Sequence, residues 1–296
     1  MEENLKSGEL HALISLLDEP DPEIFSRIRE RLFTYGIAAI PMLENAWDST
    51  YENNDVQQRI EGIIHDIQFD SVYQNLKKWK NSPEPDLLTG FIQVARYQYP
   101  ELKEKEILDK IGQIVQDVWL ELNNNLTPLE KIRVINHILF DIHGFSANKS
   151  DLYAPSNSYL NLLLETKKGN ALSLSIIYMV VAQSLKIPVY GVNLPQNFVM
   201  AYIDRMLNPG ETVKKSVIQF YINAFNGGAV FTQREIELFL RQINLEVDDK
   251  YFLPCDNLTI IRRVLNNLIY AHENKGDVEK VAELKKLQEA LDDREV

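Results

Sequence analysis

A cysteine, a histidine and an aspartate set around one buried helix make a nucleophile, a base and an orienting group. The stretch from Lys167 to Asp204, with the strand that follows it, has the frame for such a set and different residues at its three positions. A thiol in the first turn of a helix ionises easily, because the helix dipole and a neighbouring imidazolium favour the thiolate. A histidine on the adjoining strand takes the thiol proton, and an aspartate or asparagine on the next strand orients that histidine. Here the first-turn position after Gly169 carries Ala171, the position after Leu194-Pro195-Gln196 carries Asn197, and the position after Phe220-Tyr221-Ile222 carries Asn223. Neither a methyl group nor a carboxamide can serve as nucleophile or general base. The expectation is a degenerate triad and no enzyme of the thiol type.

Other side chains near this frame could carry chemistry. Ser173 and Ser175 lie one turn into the helix, and a serine there could in principle replace a cysteine as nucleophile. Without a nearby base its hydroxyl stays protonated, and a helical serine commonly bonds back to a carbonyl one turn earlier. His137 and His143 lack the spacing and the company of a metal site; beside Gly144, His143 is expected to cap a helix end. Cys255 lies far from the helix start and reads as an ordinary small apolar residue. Asn157, Ser158, Asn170, Ser173, Gln196, Asn197 and Asn223 are the polar groups expected around any remaining cleft. They offer donors and acceptors to an amide backbone without acid–base chemistry.

The elements that position these residues follow from the apolar pattern. From Ala171 to Leu185 nearly every side chain is apolar or small, so the helix must be buried on every side. Gly169-Asn170 turns the chain into it from a helix ending near Lys168. Ile187 to Val192, Phe198 to Tyr202 and Val217 to Ile222 read as three short strands. A buried helix with its N-terminus against an antiparallel sheet is the core of papain-like and transglutaminase-like folds.

The region from about Pro83 to Gly228 resembles the transglutaminase-like family of SirB-type bacterial proteins. The resemblance is carried in order by Gly144-Phe145, Asn148, Tyr153, Pro155, Asn157-Ser158-Tyr159-Leu160, Gly169 with Leu172-Ser173-Leu174-Ser175, and Gly191 with Leu194-Pro195 and Phe198. It implies a transglutaminase-like core and a helical pair at the C-terminal end. The family carries Gly-His where this chain has Gln196-Asn197, and an Asp-Pro pair where it has Asn223-Ala224. Proline commonly stands at the family's helix start, so the resemblance itself implies little enzymatic activity.

Flanking texture divides the chain. Residues 1–80 carry helical stripes broken at Asp18-Glu19-Pro20-Asp21-Pro22 and at Gly36, the pattern of a HEAT-like unit or of a plain helical bundle. Asn81 to Asp86 is a linker, and residues 83–250 form the transglutaminase-like core domain, where Thr127-Pro128-Leu129-Glu130 marks a capped helix start. Residues 251–296 read as a tetratricopeptide-like helical pair. The fold class is α+β, predominantly helical.

A net charge of −12 argues against a nucleic-acid partner. The single cysteine fits a reducing compartment, and no apolar run is long enough to span a bilayer. A cytoplasmic protein is expected, with no cofactor and no metal. Two classes stand open. One is a noncatalytic protein- or peptide-binding, regulatory module, a pseudoenzyme on the transglutaminase-like frame; a helical-repeat adaptor with the central domain as spacer is a plainer form of it. The other is a hydrolase or acyltransferase using an unrecognised nucleophile such as Ser173.

Overall fold

The computed structural model describes residues 2–50, 53–208, 210–211 and 213–292, residues 2–7 by backbone alone. The chain forms two compact units, Met1–Asn75 and Leu76–Val296.

In the first unit the helical stripes become α1 (Glu2–Ile14), α2 (Pro22–Phe33), α3 (Ile40–Ser49) and the start of α4 (Asn54–Lys80). Asp21, at the expected break, caps α2 by accepting the N–H groups of Glu23 and Ile24, with Pro22 at the first helical position. One apolar cluster holds the unit together, centred on Leu17, Leu32, Leu43 and Ile60.

The second unit begins its helices with α5 (Leu87–Gln98), α6 (Glu104–Glu121) and α7 (Pro128–Asn136). Thr127 caps α7 with the reciprocal Glu130 bond that its sequence announces. After a π-helical turn over His137–Ile142, Gly144 takes φ +73°, a left-handed turn that buries Phe145. Two short parallel strands, β1 (Ser146–Ala147) and β2 (Lys168–Gly169), pair across α8 (Leu160–Thr166). The helix before the motif therefore ends earlier than the glycine suggests. Lys167 takes the left-handed conformation at φ 59°, and Lys168-Gly169 is held extended by the pairing with β1. The Lys167 ammonium sits over the Phe145 ring, 4.5 Å from its centroid.

The all-apolar segment forms α9 (Ala171–Ser184), with residues from Leu172 to Met179 all buried. The strands β3 (Val189–Val192), β4 (Val199–Ile203), β5 (Ile218–Asn223) and β6 (Ala229–Phe231) form one antiparallel sheet in that order. All five residues of β4 are buried, so the sheet is covered on both faces. The helix α10 (Gln233–Gln242) buries Ile236 and Leu240 against Val192, Val199, Ala201 and Tyr221, and α9 packs on β3 and β4. The chain ends in α11 (Asn257–Glu273) and α12 (Val278–Glu289), of which α11 packs on α5, on α9 and on the turn Pro155–Ser158. These helices share one unit with the sheet. The whole is α+β and predominantly helical.

Candidate functional site

The N-terminus of α9 opens into a cavity of about 350 Å³. Four groups of residues surround it: Leu152, Tyr153, Ala154 and Ser158 from the loop before α8; Asn170, Ala171 and Leu172 from the helix start; Gln196, Asn197 and Phe198 from the β3–β4 turn; and Phe225 with Arg263, Asn267 and Tyr270.

At the helix start the backbone is fixed from both directions. Asn170 accepts the Ser173 N–H through its side chain at 2.9 Å, and Ser173 Oγ accepts the Asn170 N–H at 3.0 Å. Two of the helix's unsatisfied donors are thereby occupied. Gly169 is required beneath this box, since a Cβ there would lie 2.6 Å from Ser173 Oγ. The Asn170 amide also donates to Ser158 Oγ at 2.9 Å, tying the helix to the preceding loop. Within that loop Asn157 accepts from the Asn148 amide at 2.8 Å and donates to the Asp151 carbonyl at 2.7 Å. Asn157 is 2% exposed, so its polar groups serve the loop and do not face the cavity.

Of the residues that the sequence nominates, Ser158, Asn170, Gln196 and Asn197 line the cavity together with Ala171. Asn157, Ser173 and Asn223 do not. Ser173, at 1% exposure, has its hydroxyl engaged with the Asn170 backbone. Ser175 donates to the Ala171 carbonyl at 2.7 Å, the back-bond expected of a helical serine. Asn223 ends β5 and accepts the Asn226 N–H at 3.3 Å, so it caps the turn that delivers Phe225 to the cavity. Asn197 accepts the N–H of its neighbour Phe198 at 2.8 Å. Beside it Gln196 sits at φ 58° in the left-handed region.

The sequence did not point to the fourth wall. Arg263, Asn267 and Tyr270 recur at helical spacing on α11. Arg263 Nη1 donates to the Asn193 side chain at 2.9 Å and to the Leu194 carbonyl at 3.3 Å, which locks the guanidinium against the β3–β4 turn. Burial lowers its pKa from the ordinary arginine value. Tyr270 meets Tyr153 edge to face, ring centroids 5.3 Å apart, and both rings are exposed at the rim. The signal available in the sequence was a polar and aromatic line beside the apolar stripe of Val264, Leu265 and Leu268.

The remaining candidates lie elsewhere. His143 stands at the helix end as expected, its N–H donating to the Ile138 carbonyl at 2.9 Å at the close of the π-helical turn, and its Nε2 also bonds to Asp117 at 2.9 Å. His137 bonds to Asp141 at 3.0 Å. Among the described residues no group of three or more metal-ligating side chains occurs. Cys255 lies outside the cavity, and burial, with Asp256 adding to it, pushes its thiol up to about 12. It carries almost no thiolate at neutral pH.

Comparison with known proteins agrees with this architecture. A family model for the transglutaminase-like superfamily matches residues 105–266. A UPF0162 protein of Xylella fastidiosa is 32% identical over 200 residues, 64% of this chain and 67% of the relative. Its counterpart in a second strain is 30% identical over 216 residues, 68% of this chain and 73% of the relative. F-box only protein 21 of Mus musculus is 24% identical over 239 residues, 72% of this chain and 37% of that longer protein. No solved structure matches the chain. With more than half of its length matched by the family model, and with the buried helix, the sheet and the cleft in place, this chain belongs to the transglutaminase-like superfamily.

Proposed function

We propose that the protein is a noncatalytic, regulatory member of its superfamily whose cleft binds a peptide or a segment of a partner protein. The observation that carries this reading is the cavity lining: among the described residues it holds no cysteine, histidine, aspartate, glutamate or lysine. A thiol mechanism needs a thiolate–imidazolium pair, and the cleft offers a methyl group at Ala171 and a carboxamide at Asn197 instead. The second nucleophile considered, Ser173, has no base beside it and a hydroxyl held by backbone. What the cleft does offer suits a polypeptide: carboxamides from Asn170, Gln196, Asn197 and Asn267 for backbone amides, and aromatic faces from Tyr153, Phe225 and Tyr270 for side chains. The single cysteine fits a cytoplasmic setting. No helix among the described residues is long and apolar enough to cross a membrane.

The test is selection of random decapeptides displayed against the full chain, with Ala171→Trp as the variant that fills the cavity. The reading expects peptides that bind the native chain, lose binding to the variant, and are released chemically unchanged. Peptides bound equally by Ala171→Trp, or peptides cleaved or acylated by the protein, contradict it.

A further inference from the structure

The cleft contains one charge, Arg263, and among the described residues no carboxylate answers it. Arg263 lines the cavity, is half-buried, and is fixed through Nη1 by two neutral acceptors, the Asn193 side chain and the Leu194 carbonyl. Among the described residues Arg263 enters no ion pair. Among the described residues no acidic side chain lines the cavity, although the chain as a whole carries 43 acidic against 31 basic side chains. The other half-buried arginines described in this unit, Arg96 and Arg262, each lie against a carboxylate. Removing a guanidinium from water without a counter-charge is costly. The positioning bonds occupy one end of the planar fork, whose geometry suits a carboxylate.

Resting on the peptide-binding reading above, we propose that Arg263 is the receptor for a carboxylate of the bound peptide, either its C-terminus or an Asp or Glu side chain. The surroundings match such an occupant. Asn267, one turn along α11, and Asn197 across the cleft can bond the backbone next to the carboxylate, and the Tyr153–Tyr270 pair at the rim can cover an adjoining apolar side chain. A carboxylate also restores the charge balance that the cleft lacks, and its hydrogen bonds to the guanidinium are charge-assisted.

The experiment uses the decapeptides selected on the full chain, resynthesised in three forms: unchanged, C-terminally amidated, and with each Asp and Glu replaced by its amide. Fluorescence anisotropy measures their binding to the native chain and to Arg263→Gln, Arg263→Lys and Ala171→Trp. The expected result is that Ala171→Trp abolishes binding and Arg263→Gln weakens it by roughly ten- to a hundredfold. Arg263→Lys, which keeps the charge and loses the fork, falls between the native chain and Arg263→Gln. One of the neutralised peptides must lose affinity to the same extent on the native chain, amidation naming the C-terminus and side-chain replacement naming an acidic residue. That arm needs no altered protein, so it decides the matter even where Arg263→Gln fails to fold. Binding lost in Ala171→Trp yet indifferent to both neutralisations overturns the carboxylate and leaves the cleft reading intact. Binding unaffected by Ala171→Trp, or no peptide selected at all, overturns both.

Discussion

At position 196 the backbone turns left-handed, φ 58°, with a glutamine in place. For an L-residue that conformation costs roughly 1–2 kcal/mol, from which glycine is exempt. The resemblance read from the sequence implies glycine here, the residue that adopts this conformation freely. Strain of this kind persists where surrounding structure fixes the backbone, and the fixing groups here belong to the cleft: Leu194, whose carbonyl receives Arg263, and Asn197, which holds the Phe198 N–H. Replacing Gln196 by glycine should relieve the strain at the smaller entropic cost of a freer unfolded chain. The net expectation is a gain of about 0.5 kcal/mol in denaturant unfolding. A loss of stability on Gln196→Gly would show that the glutamine side chain contributes more than its backbone costs.

At the scale of elements, two helices depend on carboxylates at their starts. The Glu130 carboxyl is held below its ordinary 4.5 by the Thr127 N–H and then the Thr127 hydroxyl at the head of α7. The Glu235 carboxyl is lowered by the Thr232 hydroxyl and then the Thr232 N–H at the head of α10. In both, the folded pKa lies below the unfolded one, so the stabilisation is complete above the unfolded value. It is lost as pH falls from about 4.5 through the lower folded values. Thermal unfolding followed downward from neutral pH should therefore show a fall that a Glu130→Gln, Glu235→Gln double variant reduces. An identical acid slope in that variant would remove these caps from the account. The first of these boxes was legible in Thr127-Pro128-Leu129-Glu130, because its spacing and its proline are local. The strands β3, β4 and β5 were legible too, within a residue or two, from β-branched runs bounded by turns. The helix α10 was not read, although Thr232 and Glu235 carry the same signature as the first box. The cleft was half legible for a physical reason. Asn170, Ala171, Gln196 and Asn197 lie on segments that share the motif, whereas Arg263, Asn267 and Tyr270 reach the cavity by packing across a sequence separation that no local pattern encodes.

At the scale of the whole molecule, two apolar clusters belong to different units. The cluster around Leu32 draws on residues between Leu10 and Ile67, and the one around Phe252 on residues between Val192 and Phe252. Leu32 has no exposed surface, and Leu32→Ala should cost about 2–5 kcal/mol in chemical unfolding of the first unit. Peptide affinity at the cleft should be unchanged in the folded protein, because every lining residue lies in the second unit. A tenfold loss of affinity in this variant would mean that the two units act as one.

The central claim, a cleft built for binding with no activated nucleophile in it, is tested most directly by reacting the purified protein with broad serine-reactive and thiol-reactive acylating probes. Modified residues are mapped by peptide mass spectrometry, with Ser173→Ala and Cys255→Ala as controls. The expected result is no labelling at Ser173 and slow labelling confined to Cys255, whose thiol burial pushes up to about 12. Rapid, stoichiometric labelling at Ser173, abolished in Ser173→Ala, would contradict it and return the protein to the enzymes.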